Sequence, residues 1–398
     1  MSRVWYLEDF TPQISGLMGE EAWRHLSDPR ACVEVLAWQL PCPELPLALL
    51  DRFDLDALVL GAGGNWGDIR VAGRHLQALD WITSVTPSPP LIRRLLSEGH
   101  TIVINDLQEK LHPVFLLCHE MSARLLAGVN CNAYLTPVGA EGLEKHYDDE
   151  DVIVVQISGA KTWRLFPSAL PLNPWPGLDY CQAHVDACDE VVTHVMRPGQ
   201  ALYIPRGVPH EAFCADESSL HFTFSIQGLS QADLVRELVD QMARDPDDSH
   251  RLRERVPSGW LLAGQVPPSG RNSLRVALLA IAENLTDAWL DRALVALLGR
   301  QCEGISSPLL RGCAELEVDL DDASVLRRRA TQALVQVPGL GKALFKGGRF
   351  DLDAEGAELV EQLLANARVA VCDLPGEDEL SRLNLARQLI DFGLMERV

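Results

Sequence analysis

The sequence predicts a mixed α and β protein: an antiparallel β-sandwich or jelly roll at its centre, followed by helices. Three observations carry this. Between about 130 and 228, the runs "NCNAYLTP", "DVIVVQI", "KTWRLF", "EVVTHVM", "ALYIP" and "LHFTFSI" are short and rich in β-branched or aromatic residues. They are separated by turn chemistry such as "PVGAEG", "SGA", "RPGQ" and "PRGVPH", the spacing of a two-layered all-β unit. After Gly228 the strand pattern stops, and "SQADLVRELVDQMAR" and "SLRVALLAIAENLTDAWLDRALVALLG" carry apolar residues at helical spacing. With 398 residues, 47% of them hydrophobic and 23% charged, the chain has material for two or three domains with their own cores.

The remaining elements follow in order. Residues 1 to about 115 mix short helical and strand patterns. "DALVLGAGGNWGD" predicts a strand entering a glycine-rich loop. "GHTIVINDLQEKLHPVFLLCHEMSARLL" predicts a strand over Thr101–Ile104 and then a helix, with Asp106 as a candidate N-cap. The last hundred residues alternate helices with strand-like pieces, "GRFDLD" and "ARVAVCDL", and resemble a small winged-helix module. The expected division is 1–228 for the barrel unit, 229–300 for a helical segment and 301–398 for the winged-helix-like end. The helical segment carries more apolar residues than a thin appendage can hide, which predicts a homodimer interface.

Charge and cysteine usage exclude several classes. Thirty-five basic against 56 acidic residues give a formal charge of −21, which argues against a general nucleic-acid binder. Arg327-Arg328-Arg329 reads as one solvated helix face, so no direct DNA binding is expected. No apolar run is long enough to span a bilayer, and "MSRVWYLEDF" has no apolar core of a signal peptide; a soluble, cytoplasmic protein is expected. The 10 cysteines lack framework spacing and read as free thiols. "CQAHVDAC" offers Cys181, His184 and Cys188 but no CxxC pair and no fourth ligand, so a plain loop is expected there. The glycines of Gly61 to Gly67 fit neither common phosphate-loop pattern.

Two His-x-Asp pairs compete as metal ligands. His146 and Asp148 lie two apart in "EKHYDDEDVIVVQI". In an extended segment, residues at that spacing face one way, and the apolar run behind them gives a rigid base. His184 and Asp186 have no such strand behind them. A second histidine for the first pair is His210, at a tight Pro/Gly turn in "LYIPRGVPHEAF", where a side chain can be aimed. Two histidines and one carboxylate form the facial triad that holds Fe(II) with open positions. "DVIVVQISGAKTWRLF" reads as a β-hairpin turning at Ser158-Gly159-Ala160, with Lys161 opening the return strand. Pointing inward, its ammonium would need an anionic partner, which a co-substrate carboxylate would supply.

In order, "NAYLTP", "HYD", "QISGAKTW" and "YIPRGVPHEA" resemble the JmjC-type 2-oxoglutarate oxygenases, in particular their ribosomal oxygenase branch. The upstream "GHTIVINDLQEKLHPV" and the order of barrel, helical segment and winged helix look like the same branch. The resemblance implies a double-stranded β-helix of the jelly-roll, cupin and JmjC kind, with Fe(II) and 2-oxoglutarate as cofactor and co-substrate. It implies His146, Asp148 and His210 as the metal-binding catalytic residues, and Lys161 at the distal carboxylate of 2-oxoglutarate. Asn132 and Tyr134 would line the co-substrate pocket, and Ser225 would stand near the substrate. The implied reaction is hydroxylation of a protein side chain, an Arg or His of a ribosomal protein, with release of succinate and CO2. An N-methyl group at the same place would lead to demethylation.

The loop "TPVGAEGLEKHYD" departs from the family's more proline-rich pattern and puts the target in question. A related oxygenase acting on a biosynthetic peptide or small molecule, and a non-catalytic JmjC-like binding module, stay open. The acidic run Asp148 to Asp151 could attract a basic peptide or simply solvate an edge loop.

Overall fold

The computed structural model describes residues 17–27, 34–51, 53–61, 67–72, 86–125, 127–167, 174, 181–189, 191–245, 250–258, 262, 265–283, 285–302, 320–328, 334–337, 341–345, 348–351, 353–365, 368–391 and 394–397. The chain separates into two compact units, 1–228 and 229–398.

The first unit is built on ten strands: β1 (Leu36–Gln39), β2 (Ile69–Ala72), β3 (Thr101–Ile104), β4 (Gly128–Thr136), β5 (Asp151–Gly159), β6 (Lys161–Leu165), β7 (Val192–Met196), β8 (Gln200–Ile204), β9 (His210–Phe213) and β10 (Ser219–Gln227). Seven form one antiparallel sheet in the order β1-β8-β5-β10-β4-β3-β2, and three form a second in the order β7-β6-β9. This is the two-sheet arrangement of a double-stranded β-helix. Alternation along β10 shows how the sequence builds it. Phe222, Phe224 and Ile226 face one way, into a core shared with Leu95, Leu117 and Ile153. His221, Thr223 and Ser225 face the other way. Between the sheets lies a second apolar cluster of Val152, Val154, Leu202 and Ile204 from the large sheet and Trp163, Leu165, Met196 and Ala212 from the small one.

The expected hairpin at Ser158-Gly159-Ala160 is corrected: β5 and β6 belong to different sheets. Gly159 turns the corner at φ 64°, and a Cβ there would lie 1.7 Å from the Ser218 carbonyl oxygen. A sheet-switching corner and a hairpin turn use the same residue types, so the sequence could not separate them. The chain switches sheets again between β8 and β9, where Gly207 has φ 79°.

Three local expectations also change. Leu55–Gly61 is a helix rather than a strand, with Asp54 Oδ1 accepting from the Ala57 N–H at 3.0 Å; the N-cap outweighs the β-branched content. The rest of that glycine-rich stretch, 62–66, lies outside the described residues. Asp106 precedes a short 3₁₀ turn in the left-handed region and makes no side-chain cap. The third is in the second unit, where Arg327 and Arg328 lie on a strand, Val325–Arg328. Leu326, just before them, is buried, Arg327 pairs with Glu396, and Arg329 lies outside the described residues.

The second unit begins with helices Gln231–Arg244, Pro268–Glu283 and Asp287–Cys302. Ser230 caps the first with a complete capping box to Asp233. Two three-stranded sheets and two helices, Ala354–Ala365 and Glu379–Asp391, follow. No helix among the described residues is long and apolar enough to cross a membrane.

Candidate metal centre

The two sheet corners deliver the key side chains. β6 and β9 pair with Leu165 opposite His210 and Trp163 opposite Ala212, so Lys161, Trp163 and His210 share the inner face of the small sheet. The loop that carries His146 and Asp148 is tied to the start of β9. The His146 N–H donates to the His210 carbonyl at 3.0 Å, and the His210 N–H donates back at 2.7 Å. The Gly207 N–H donates to the Asp148 carbonyl at 2.9 Å.

These ties assemble a donor set. His146 Nε2 lies 3.8 Å from Asp148 Oδ1, and His210 Nε2 lies 3.6 Å from Asp148 Oδ2. One ligand atom from each residue lies within 4.8 Å of the others, and this is the metal-competent group among the described residues. Each histidine points its Nδ1 at a carbonyl, Glu144 at 2.7 Å and Val208 at 3.0 Å, which leaves both Nε2 atoms facing Asp148. Burial, and then the neighbouring His146, lower the pKa of His210 to about 4, so its ring is neutral and its lone pair free at neutral pH. A soft-to-hard mixed donor set of two imidazoles and a carboxylate suits Fe(II) and similar divalent ions.

The triad sits in a cleft of about 470 Å³, counting the solvent at its mouth, which also holds Tyr134, Lys161, Trp163, His221 and Thr223. Lys161 is 3% exposed. Its Nζ donates to Thr136 Oγ1 at 2.9 Å, and among the described residues no carboxylate pairs with it. Burial lowers its pKa from 10.5 to about 8. Tyr134 stacks on His221 at 4.8 Å, and burial, followed by the charge of Asp148, raises its phenol to about 12. Burial also pushes His221 well below its ordinary value, and its Nδ1 has no partner among the described residues.

The other expected site residues fall near this cleft with different roles. Asn132 shares a face of β4 with Tyr134, but its Oδ1 accepts from the Asp106 N–H at 3.0 Å. Ser225 follows Thr223 on the same face of β10 and reaches Glu150 rather than the cleft lining; burial raises the Glu150 carboxyl. His184 and Asp186 lie on a helix, Gln182–Ala187, and are not brought to the triad. His184 contacts the Gly207 carbonyl and Asp186 the Gln182 amide. His221, Thr223 and Trp163 were not singled out from the sequence. The alternation in "LHFTFSI", polar at every second position, was the signal that could have found the first two.

Comparison with known proteins gives this geometry a context. Residues 108–234 match the family model described as the JmjC domain. A bifunctional lysine-specific demethylase and histidyl-hydroxylase NO66 of Dictyostelium discoideum is 34% identical over 143 residues, covering 34% of this chain and 27% of that protein. Ribosomal oxygenase 2 of Mus musculus is 32% identical over 165 residues, covering 39% of this chain and 34% of that protein. The match thus spans about a third or less of each of these two relatives. Among solved structures, the ribosomal oxygenase YcfD from Escherichia coli, in complex with cobalt and 2-oxoglutarate, aligns at a TM-score of 0.42 and 14% identity, over 75% of this chain and 78% of that one. The His146, Asp148 and His210 cluster and Lys161 all fall inside the residues, 108–234, that match the JmjC domain model.

Proposed function

We propose that this protein is an Fe(II)- and 2-oxoglutarate-dependent dioxygenase that hydroxylates a protein side chain. The observation that carries the reading is the pairing, in one cleft, of a two-histidine, one-carboxylate cluster with a buried lysine lacking an anionic partner among the described residues. A buried ammonium is costly unless paired, so the site fits a ligand that binds a divalent metal at one end and carries a carboxylate at the other. 2-Oxoglutarate is such a ligand.

On this reading His146, Asp148 and His210 hold the iron, and Lys161 with Thr136 holds the distal carboxylate. The bound metal and co-substrate supply the oxidation, in which 2-oxoglutarate and O2 become succinate and CO2 while one oxygen atom enters a C–H bond of the target. The protein supplies position and environment. Neutral His210 presents a lone pair without waiting for a proton to leave. Tyr134 stays protonated at neutral pH and can only donate toward the anion on its side of the cleft. Val152, Val154 and Trp163 exclude water from the inner wall. The acidic run Asp148 to Asp151, which begins at a residue lining the cleft, favours a basic target.

The names of the curated relatives, a histidyl-hydroxylase and a ribosomal oxygenase, favour a His of a ribosomal protein as that target, with Arg the alternative that the sequence resemblance implies. Intact-mass analysis of ribosomal proteins with and without the gene tests this. One protein lighter by an oxygen atom in the deletion strain supports it; an unchanged set moves the reading to a peptide or small-molecule substrate. Failure of the iron-loaded protein to turn over 2-oxoglutarate would instead favour a binding module.

The helices of 229–300 extend the reading to assembly. Leu274, Leu278 and Leu279 on Pro268–Glu283 are 49%, 64% and 60% exposed, and pairing with a second copy would cover them. A monomer by solution scattering at micromolar concentration would end that proposal.

A further inference from the structure

The motif "CQAHVDAC" finds its use outside metal binding. His146 and Asp148 face the cleft, so the residues beside them, Lys145 and Tyr147, project to the other side of the same extended segment. Both meet the piece of chain from Cys181 to Cys188. The Cys181 N–H, at the start of helix Gln182–Ala187, donates to the Tyr147 hydroxyl at 2.8 Å. Lys145 Nζ donates to the Cys188 carbonyl, at the end of that helix, at 2.6 Å. Lys145 is also held over the Phe166 ring at 4.0 Å, and the Phe166 N–H donates to the Pro209 carbonyl, next to His210.

A third pin comes from the middle of the helix. His184 Nε2 lies 3.0 Å from the Gly207 carbonyl, which can only accept, so that nitrogen carries the proton. Gly207 in turn donates its N–H to the Asp148 carbonyl at 2.9 Å. The His184 ring meets Tyr147 edge-on at 5.8 Å. One short helix therefore touches the loop that carries His146 and Asp148 and the corner that leads to His210. Those two segments are irregular backbone, and Asp148 is 40% exposed at its side chain. Without an outside brace, the donor atoms would rest on a few backbone hydrogen bonds, chiefly the bridge between His146 and His210 and the Gly207 N–H to the Asp148 carbonyl.

We infer that Cys181–Cys188 is a clasp that sets the geometry of the metal-binding loop, with Lys145, Tyr147 and His184 as positioning residues. The inference rests on the reading that His146, Asp148 and His210 bind a metal. The clasp takes no room in the cleft itself, because none of Lys145, Tyr147 and His184 lines it.

The test is calorimetric titration of the metal-free full chain with Co(II), alongside its melting temperature. The triple variant Lys145→Met, Tyr147→Phe, His184→Phe should bind Co(II) about tenfold to a hundredfold more weakly, the range expected when support around metal ligands is lost. Tyr147→Phe alone keeps the ring and should cost about fivefold, the worth of one hydrogen bond. Lys145→Arg should restore most of what Lys145→Met loses. Asp186→Asn serves as the control and should bind normally, since its carboxylate contacts Gln182 within the helix. His210→Ala must lose binding, so that the titration is known to report the cluster. If the wild type binds and the clasp variants bind equally well, the clasp is refuted and the metal reading stands. If the wild type itself takes up no Co(II), both fall. Should the triple variant fail to fold, the two single variants decide the matter.

Discussion

The two units of the chain bury different chemistry. Inside residues 1–228 the buried polar side chains include Thr101, Thr136, Gln156, Lys161, His210, Ser219, His221 and Thr223. Among the described residues of 229–398 they are Glu237 and Ser324, and the main core there, from Leu326 through Leu359 and Leu389 to Met395, is apolar throughout. Polar burial is costly unless each group finds a partner. Much of that cost is met internally: Thr101 donates to Thr136 at 3.1 Å, Gln156 to Ser219 at 2.9 Å and Lys161 to Thr136. The ammonium charge of Lys161, the Nδ1 of His221, the Nε1 of Trp163 and the Oε1 of Gln156 are among the groups left over among the described residues. The comparison teaches where to look for function: the second unit spends its interior on stability, and the first holds an unfinished set of interactions that a ligand would complete.

The largest effect should come from the ligand cluster. His210→Ala should reduce Co(II) affinity by more than about a hundredfold, because a three-residue set cannot spare its buried imidazole. Near-normal affinity in a titration would put the ion elsewhere. Next come the two cores. Phe224→Ala in the first unit should destabilise by about 3–5 kcal/mol, and Leu389→Ala in the second by about 2–5 kcal/mol, read by urea unfolding. The comparison requires that Leu389→Ala leave Co(II) affinity unchanged; a shared loss would mean that the units are not separable in function.

Lys161 sharpens the contrast further. Its pKa is lowered from 10.5 to about 8 in the fold, so between those values the unfolded chain binds the extra proton. Stability should therefore climb as pH rises from about 8 to 10.5, and it carries the full penalty below 8. Lys161→Met should flatten that climb and raise stability at pH 7 by up to about 3 kcal/mol. The same variant should lose 2-oxoglutarate binding. In the wild type, that binding should hold below pH 8 and weaken above it as the ammonium is lost. A Lys161→Met variant that is less stable at pH 7 would show that the charge is already paired. The smallest effect belongs to the surface of the second unit. Ser230→Ala removes a capping box and should cost about 1 kcal/mol, with no change at the metal centre.

How much was legible depended on how local the signal was. His146, Asp148 and His210 could be named because their spacing, the apolar strand behind them and a Pro/Gly turn are all short-range features. Asn132 was paired with Tyr134 on one face of its strand and Ser225 was named without a fixed register; their contacts go to Asp106 and Glu150, which lie far away in sequence. The Gly159 corner was read as a hairpin because a glycine turn looks the same whether the next strand pairs back or crosses to another sheet. Leu55–Gly61 was misread because three β-branched or apolar residues spoke louder than the cap at Asp54.

What the sequence by itself determined is the list of parts: an all-β centre ending at Gly228, helices after it, and a cluster of metal-ligand types within one domain. Alternation, turn residues and capping residues act over a few positions and are written directly in the chain. What only the tertiary structure decided is which parts meet. Lys161 became a buried cation because β6 crosses to the small sheet. His184 became a brace because its helix lies against Tyr147 and Gly207. Both outcomes depend on contacts between residues far apart in sequence, made only when two sheets and a loop close around one cleft.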